Sequence, residues 1–132
     1  MAGPAYLLDT HVLVWALTEP QRLSRRARGA LESWDSRLRA SAVSAYELSF
    51  KHQMGRLPDL EGLFVGYQKH VLALVSDEIQ VSGSHALEAG QLAWENRDPF
   101  DRLIAAQAFV EECTLITADR KFSTLSGLDV LW

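Results

Sequence analysis

Short, predominantly apolar runs recur along this chain, each too brief for a helix and each followed by a segment of helical periodicity. The runs are Tyr6-Leu7-Leu8, the stretch from Leu38 to Val43, Ile79 to Val81, Thr114-Leu115-Ile116-Thr117 and Val130-Leu131-Trp132. Between them, Val12 to Leu17 reads as a helix, and Leu23, Ala27, Ala30, Leu31 and Trp34 recur at spacings of three and four. A helix is expected from Ala45 to Met54, ended by Gly55 and Pro58, and another from Ala86 to Trp94. Leu60, Leu63, Phe64, Tyr67, Val71, Leu74 and Val75 form one long stripe. Residues 99–112 are apolar nearly all round, which marks a helix at the centre of the fold. Strands that are apolar on both faces and alternate with helices specify an α/β class: a three-layer α/β/α fold with a short, mostly parallel central sheet. Such sheets bind ligands beyond the carboxyl ends of their strands, so that edge is where chemistry is expected.

The 132 residues suit one domain spanning 1–132, and 48% hydrophobic residues suffice for a core. Thirteen Lys and Arg against 17 Asp and Glu give a formal net charge of −4, which argues against attachment to polyanions by bulk charge. Cys113 is the single cysteine, so neither a disulfide framework nor a multi-cysteine zinc site is available. No apolar run approaches the ~20 residues of a membrane helix, and Met1-Ala2-Gly3-Pro4 lacks the features of a signal peptide. A cytoplasmic setting is expected.

Four acids fall at the active edge. Asp9 follows the first strand, Glu47 opens the helix after the second, and Asp119 follows Leu115-Ile116. Asp101 lies in the first turn of the helix that runs back antiparallel to that strand. Each also has a local explanation. Ser44-Ala45-Tyr46-Glu47 fits a capping box, and Asp98-Pro99-Phe100-Asp101 fits an N-cap, an N1 proline and an acid at N3. Asp9 and Asp119 could each cap the helix that follows.

Taken together, the acids ask for more than capping. Crowded carboxylates repel one another by roughly a few kcal/mol per pair at intermediate dielectric, so they must take up protons or a cation. An oxygen-only set without cysteine or a histidine cluster favours Mg²⁺ or Mn²⁺ over zinc. Such a centre suits phosphodiester hydrolysis.

Leu7-Leu8-Asp9-Thr10-His11-Val12-Leu13 and Ser41-Ala42-Val43-Ser44-Ala45-Tyr46-Glu47-Leu48 resemble the first two acidic motifs of PIN-domain nucleases. The segment from Asp98 to Ala108 resembles the third, and Leu115-Ile116-Thr117-Ala118-Asp119 the fourth. The likeness is nearest to VapC-type toxins of bacterial toxin–antitoxin pairs and runs to the terminal Gly127–Trp132. It implies an Mg²⁺- or Mn²⁺-dependent endoribonuclease with Asp9, Glu47, Asp101 and Asp119 as catalytic and metal-binding residues. By the same analogy Asp9 and Asp101 are the first choices as direct ligands, with Glu47 binding metal or orienting water. Asp98 is assigned to capping. The resemblance further implies an RNA substrate, a homodimer, a cognate small VapB-like antitoxin and a bacterial cytoplasm.

Lys51, His52, Arg56, Arg97, Arg102, Arg120 and Lys121 flank the motifs and could contact phosphates, although each also reads as a solvated side chain. Arg22, Arg25, Arg26 and Arg28 form the polar side of one helix. His11 reads as a helix-start residue, while His52, His70 and His85 lack ligand spacing. Trp15, Trp34, Trp94 and Trp132 sit on apolar stripes expected to face the core or a dimer contact. Two other functions compete: a PIN-like domain that binds RNA or protein without cleavage, and a receiver-like phosphoacceptor domain. The second wants an acidic pair after the first strand, where Asp9 stands alone.

Overall fold

In the computed structural model, residues 3–56 and 61–132 are described, and they build a five-stranded sheet. The strands are β1 (Ala5–Leu8), β2 (Arg37–Ser41), β3 (Asp77–Ile79), β4 (Thr114–Ile116) and β5 (Val130–Leu131). Their order is β3-β2-β1-β4-β5, and every pairing is parallel. The helices are α1 (Thr10–Thr18), α2 (Arg25–Glu32), α3 (Ala42–Gln53), α4 (Glu61–Phe64), α5 (Tyr67–Leu74), α6 (Gly83–Gln91) and α7 (Pro99–Val110). The α/β class and the layered arrangement expected from the sequence are therefore present.

Period-2 alternation divides the strands between two cores. Leu8, Leu38, Ala40 and Ile116 pack with Val12 and Leu13 of α1, Ala27 and Ala30 of α2, and Val71 of α5. Leu7, Ile79 and Leu115 pack on the other face with Val43 of α3 and Ile104, Ala105 and Ala108 of α7. Helix α7 buries Ile104 through Ala108 completely or nearly so, which makes it the central helix its composition suggested. Pairing of β1 with both β2 and β4 places the reversal of strand order between β1 and β4. A crevice opens there at the carboxyl ends.

Several boundaries differ from the sequence reading. Strand β2 stops at Ser41 rather than Val43, because the Ser41 hydroxyl accepts from Val43 N and starts α3 without an intervening loop. Strand β3 covers Asp77–Ile79, two residues before the expected run. Helix α6 begins at Gly83, capped by Ser82 and His85, and ends before Trp94. The long stripe is two helices, because Gly66 adopts φ +73°, a left-handed conformation that interrupts the helical path. Leu60 of that stripe, and Pro58, expected to end the helix from Ala45, lie outside the described residues. Trp34 corrects the helical stripe: it follows α2 in a turn and, at 96% exposed, does not face the core. Trp15 and Trp132 do pack together, with ring centroids 5.9 Å apart, and Trp94 packs on Phe122 at 5.6 Å. No helix among the described residues is long and apolar enough to cross a membrane.

Candidate active site

Asp9 is the first residue beyond β1, and its backbone N–H donates to Ile116 O at 3.0 Å, which ties the ends of β1 and β4 together. One carboxylate oxygen accepts from Thr10 N at 2.8 Å and caps α1, as expected. The other accepts from the Thr117 hydroxyl at 2.7 Å, so capping accounts for only half of this side chain. Asp9 is 5% exposed, and burial pushes its pKa up to about 6 despite both hydrogen bonds and the nearby His11. The charge of Glu47 adds to that rise.

Glu47 corrects the capping-box reading. The cap of α3 is Ser41, so Glu47 sits in the second turn, beyond reach of the helix's free amides. It is 5% exposed and pairs with Lys51 Nζ at 2.6 Å. Ser44, the expected cap, is fully buried and bonds the Thr10 hydroxyl at 2.9 Å. That contact stitches α3 to the start of α1 and brings Glu47 near Asp9. A buried acid with no capping role is a stronger functional candidate than the sequence alone allowed.

Asp101 occupies N3 of α7, behind an N-cap formed as expected by Asp98, which accepts from Phe100 N and Asp101 N. Its carboxylate accepts from Asn96 Nδ2 at 2.9 Å. Burial raises its pKa first of all, and Asp98 and Asp119 add repulsion while Asn96 and Lys121 oppose the rise. Asp119 caps the short 3₁₀ turn Arg120–Thr124 through Lys121 N, and its own N–H donates to the Thr117 hydroxyl at 3.0 Å. Lys121 Nζ lies 3.9 Å from Asp101 and 3.7 Å from Asp119.

Contacts connect the acids in a row: Thr117 bonds both Asp9 and Asp119, and Lys121 lies beside both Asp119 and Asp101. Asp9 feels Glu47, and Asp101 feels Asp119. Asp9 and Asp119 face one cavity of about 260 Å³, shared with His11, Trp15 and Ala118. Among the described residues, no group of three or more His, Cys, Asp or Glu is arranged to hold a metal ion. The donor set is nevertheless of the right kind, being all carboxylate oxygen. Two of its members, Asp9 and Asp101, are held above their ordinary pKa by burial with too little positive charge beside them.

Of the basic residues considered for phosphate, Lys51 and Lys121 sit against the acids, whereas Arg56, Arg97 and Arg120 are exposed. Arg102 is excluded from that role, because its guanidinium donates to the carbonyls of Ala89, Leu92, Trp94 and Asn96. Arg25, Arg26 and Arg28 are exposed on α2, as expected, whereas Arg22 precedes that helix and stacks over the Trp15 ring at 4.8 Å. His85 is buried in the α6 cap and bonded to Glu111, and His52 packs edge-on against Phe64. Thr117 and Asn96 were missed by sequence reasoning. Thr117 carries a usable signal, since it is the first polar residue beyond the apolar β4 and stands two positions before Asp119. Asn96 carries none.

The PIN domain family model matches residues 6–128. Over 118 residues the chain is 33% identical to Ribonuclease VapC22 of Mycobacterium tuberculosis, an alignment covering 87% of each protein. Among solved structures, VapBC2 from Rickettsia felis bound to a DNA fragment from its promoter superposes with a TM-score of 0.72. Identity is 21%, and 96% of this chain and 97% of that one are covered. A toxin–antitoxin complex from Klebsiella pneumoniae gives a TM-score of 0.64 at 22% identity, covering 96% of each chain.

Proposed function

The chain belongs to the PIN-domain family, and from that premise we propose that it is a divalent-cation-dependent endoribonuclease acting as the toxin of a VapBC-type pair. The observation that supports the reading is that Asp9 and Asp119 line one cavity and share Thr117, with Lys121 lying beside both Asp119 and Asp101. Ribonuclease VapC22 supports RNA as the substrate class, and the toxin–antitoxin complex from Klebsiella pneumoniae supports a small antitoxin partner. A homodimer belongs to the same proposal, checked by light scattering of the purified chain.

In this reading Asp9 and Asp101 hold Mg²⁺ or Mn²⁺, with Glu47 and Asp119 completing the set. Such a cation supplies positive charge that screens the phosphate and eases deprotonation of an attacking water. The chain's own groups prepare for that. Thr117 and the amide of Thr10 fix both oxygens of Asp9, so the carboxylate is oriented in advance. Lys51 pairs with the buried Glu47 at 2.6 Å and fixes the orientation of its carboxylate. Lys121, exposed at the rim beside Asp101 and Asp119, is the cation best placed to swing onto a substrate phosphate.

The test is cleavage of defined RNAs with Mg²⁺, Mn²⁺ or EDTA, alongside Asp9→Asn and Asp101→Asn. Cation-dependent cleavage that both variants lose by at least about 100-fold supports the reading. Cleavage in EDTA, or variants as active as the parent, rejects it. The competing outcome is a PIN domain that binds RNA without cutting. RNA binding with no cleavage under any cation would select it.

A further inference from the structure

The segment between α6 and α7 has little secondary structure of its own, yet it is held at many points. Arg102 donates to Ala89 O at 2.9 Å, Leu92 O at 2.8 Å, Trp94 O at 3.0 Å and Asn96 O at 2.8 Å. Trp94 adds a ring contact to Phe122 and donates from Nε1 to the Thr124 hydroxyl at 2.8 Å. The result is a braced arch that sets Asn96 beside the first turn of α7.

Asn96 faces two partners of opposite kind. Its Oδ1 accepts from Asp98 N at 2.9 Å, and its Nδ2 donates to Asp101 Oδ2 at 2.9 Å. A flipped amide would set an oxygen against a carboxylate and an NH₂ against an N–H, so only one orientation serves both. Asp98 in turn caps α7 and fixes the backbone of Asp101. Asp101 is therefore constrained twice, through its main chain by Asp98 and through its carboxylate by Asn96.

We propose that Asn96 is a positioning residue of the acidic site: it locks the Asp101 carboxylate in one orientation, engaging Oδ2 and leaving Oδ1 as the oxygen offered to a divalent cation. The inference rests on Asp101 being a cation ligand. Partners that orient a ligand in this way typically contribute 10- to 100-fold in metal affinity.

A merely structural Asn96 would serve only the turn at Asp98, and serine separates the two roles. Asn96→Ser keeps an acceptor for Asp98 N–H but is too short to reach Asp101. The full chain, stripped of metal, is titrated with Mn²⁺ alone, and free ion is followed by electron paramagnetic resonance. Thermal melting is recorded without metal. Asn96→Ser is expected to bind Mn²⁺ about 10-fold more weakly while melting within ~2 °C of the parent, and Asn96→Thr should agree. Unchanged Mn²⁺ affinity overturns the proposal, as does weakening matched by a comparable loss of metal-free stability. Asp101→Asn runs beside them. If it too binds Mn²⁺ like the parent, the failure lies in the reading of Asp101 as a ligand rather than in the role of Asn96.

Discussion

Replacing Arg102 with methionine keeps most of the side chain's length and apolar stem but removes every donor. Four carbonyls, those of Ala89, Leu92, Trp94 and Asn96, then lose a charge-assisted hydrogen bond. Bonds from a charged donor contribute about 1.5–3 kcal/mol each when buried. Arg102 is only part-buried, and water can reach some of the freed carbonyls, so about 1 kcal/mol apiece is the better figure. The expected loss is roughly 3–4 kcal/mol, which for a domain of this size lowers Tm by roughly 10 °C. Circular dichroism melting of the metal-free protein reads that directly. RNA binding is measured across a salt series in an Asp9→Asn background, with EDTA present to suppress cleavage. At temperatures where the variant is folded, the slope of log Kd against log salt should match the parent. A phosphate contact would behave in the opposite way, with Tm unchanged and the slope reduced by about 1. That pair of results would refute the assignment of Arg102 to bracing the arch.

Further predictions concern the buried polar groups. Asp9 has a folded pKa near 6 against an ordinary value of 3.8, so it favours the native state below the lower value and that stability is lost as pH rises through the higher. Asp9→Asn should therefore stabilise the metal-free protein at pH 7.5 by on the order of 2 kcal/mol and change little at pH 3.5, as measured by urea unfolding at both pH values. Gln107, fully buried on α7, accepts from the Ser41 hydroxyl that caps α3 and so links the helices carrying Asp101 and Glu47. Gln107→Leu should cost about 1–3 kcal/mol by the same assay and lower cleavage as well. Trp34→Ser should leave stability within about 0.5 kcal/mol, since the ring is almost fully exposed.

What could be read in the sequence follows from which forces act locally. Strands β1 and β4 announce themselves because they are apolar on both faces, whereas β3, Asp77-Glu78-Ile79, is mostly charged and was placed two residues late; the cap at Asp98 is legible because N-cap acid and N1 proline act within one turn. Glu47 was misplaced because Ser41 and Ser44 are both competent caps, and the choice depends on where β2 stops pairing, which is a tertiary matter. Once Ser41 caps, Ser44 turns inward to Thr10, and Glu47 changes from a first-turn acid to a buried one. Trp34 misled because its spacing continued the stripe of α2, although the helix had already ended at Glu32. The positions of Asp9 beyond β1 and of Asp101 in the first turn of α7 were legible in the sequence. The contacts that connect them were not legible, because they depend on Lys121, beside Asp101 and Asp119, and on Thr117, whose hydroxyl accepts from Asp119 N and donates to Asp9.

The central claim is that Asp9 and Asp101, remote in sequence, grip one divalent cation. Anomalous diffraction from crystals soaked in Mn²⁺ tests it most directly. A single strong peak within coordination distance of carboxylate oxygens from both residues, in the crevice between β1 and β4, is the predicted result. A crevice without manganese at saturating concentration, or a peak touching neither Asp9 nor Asp101, would contradict it.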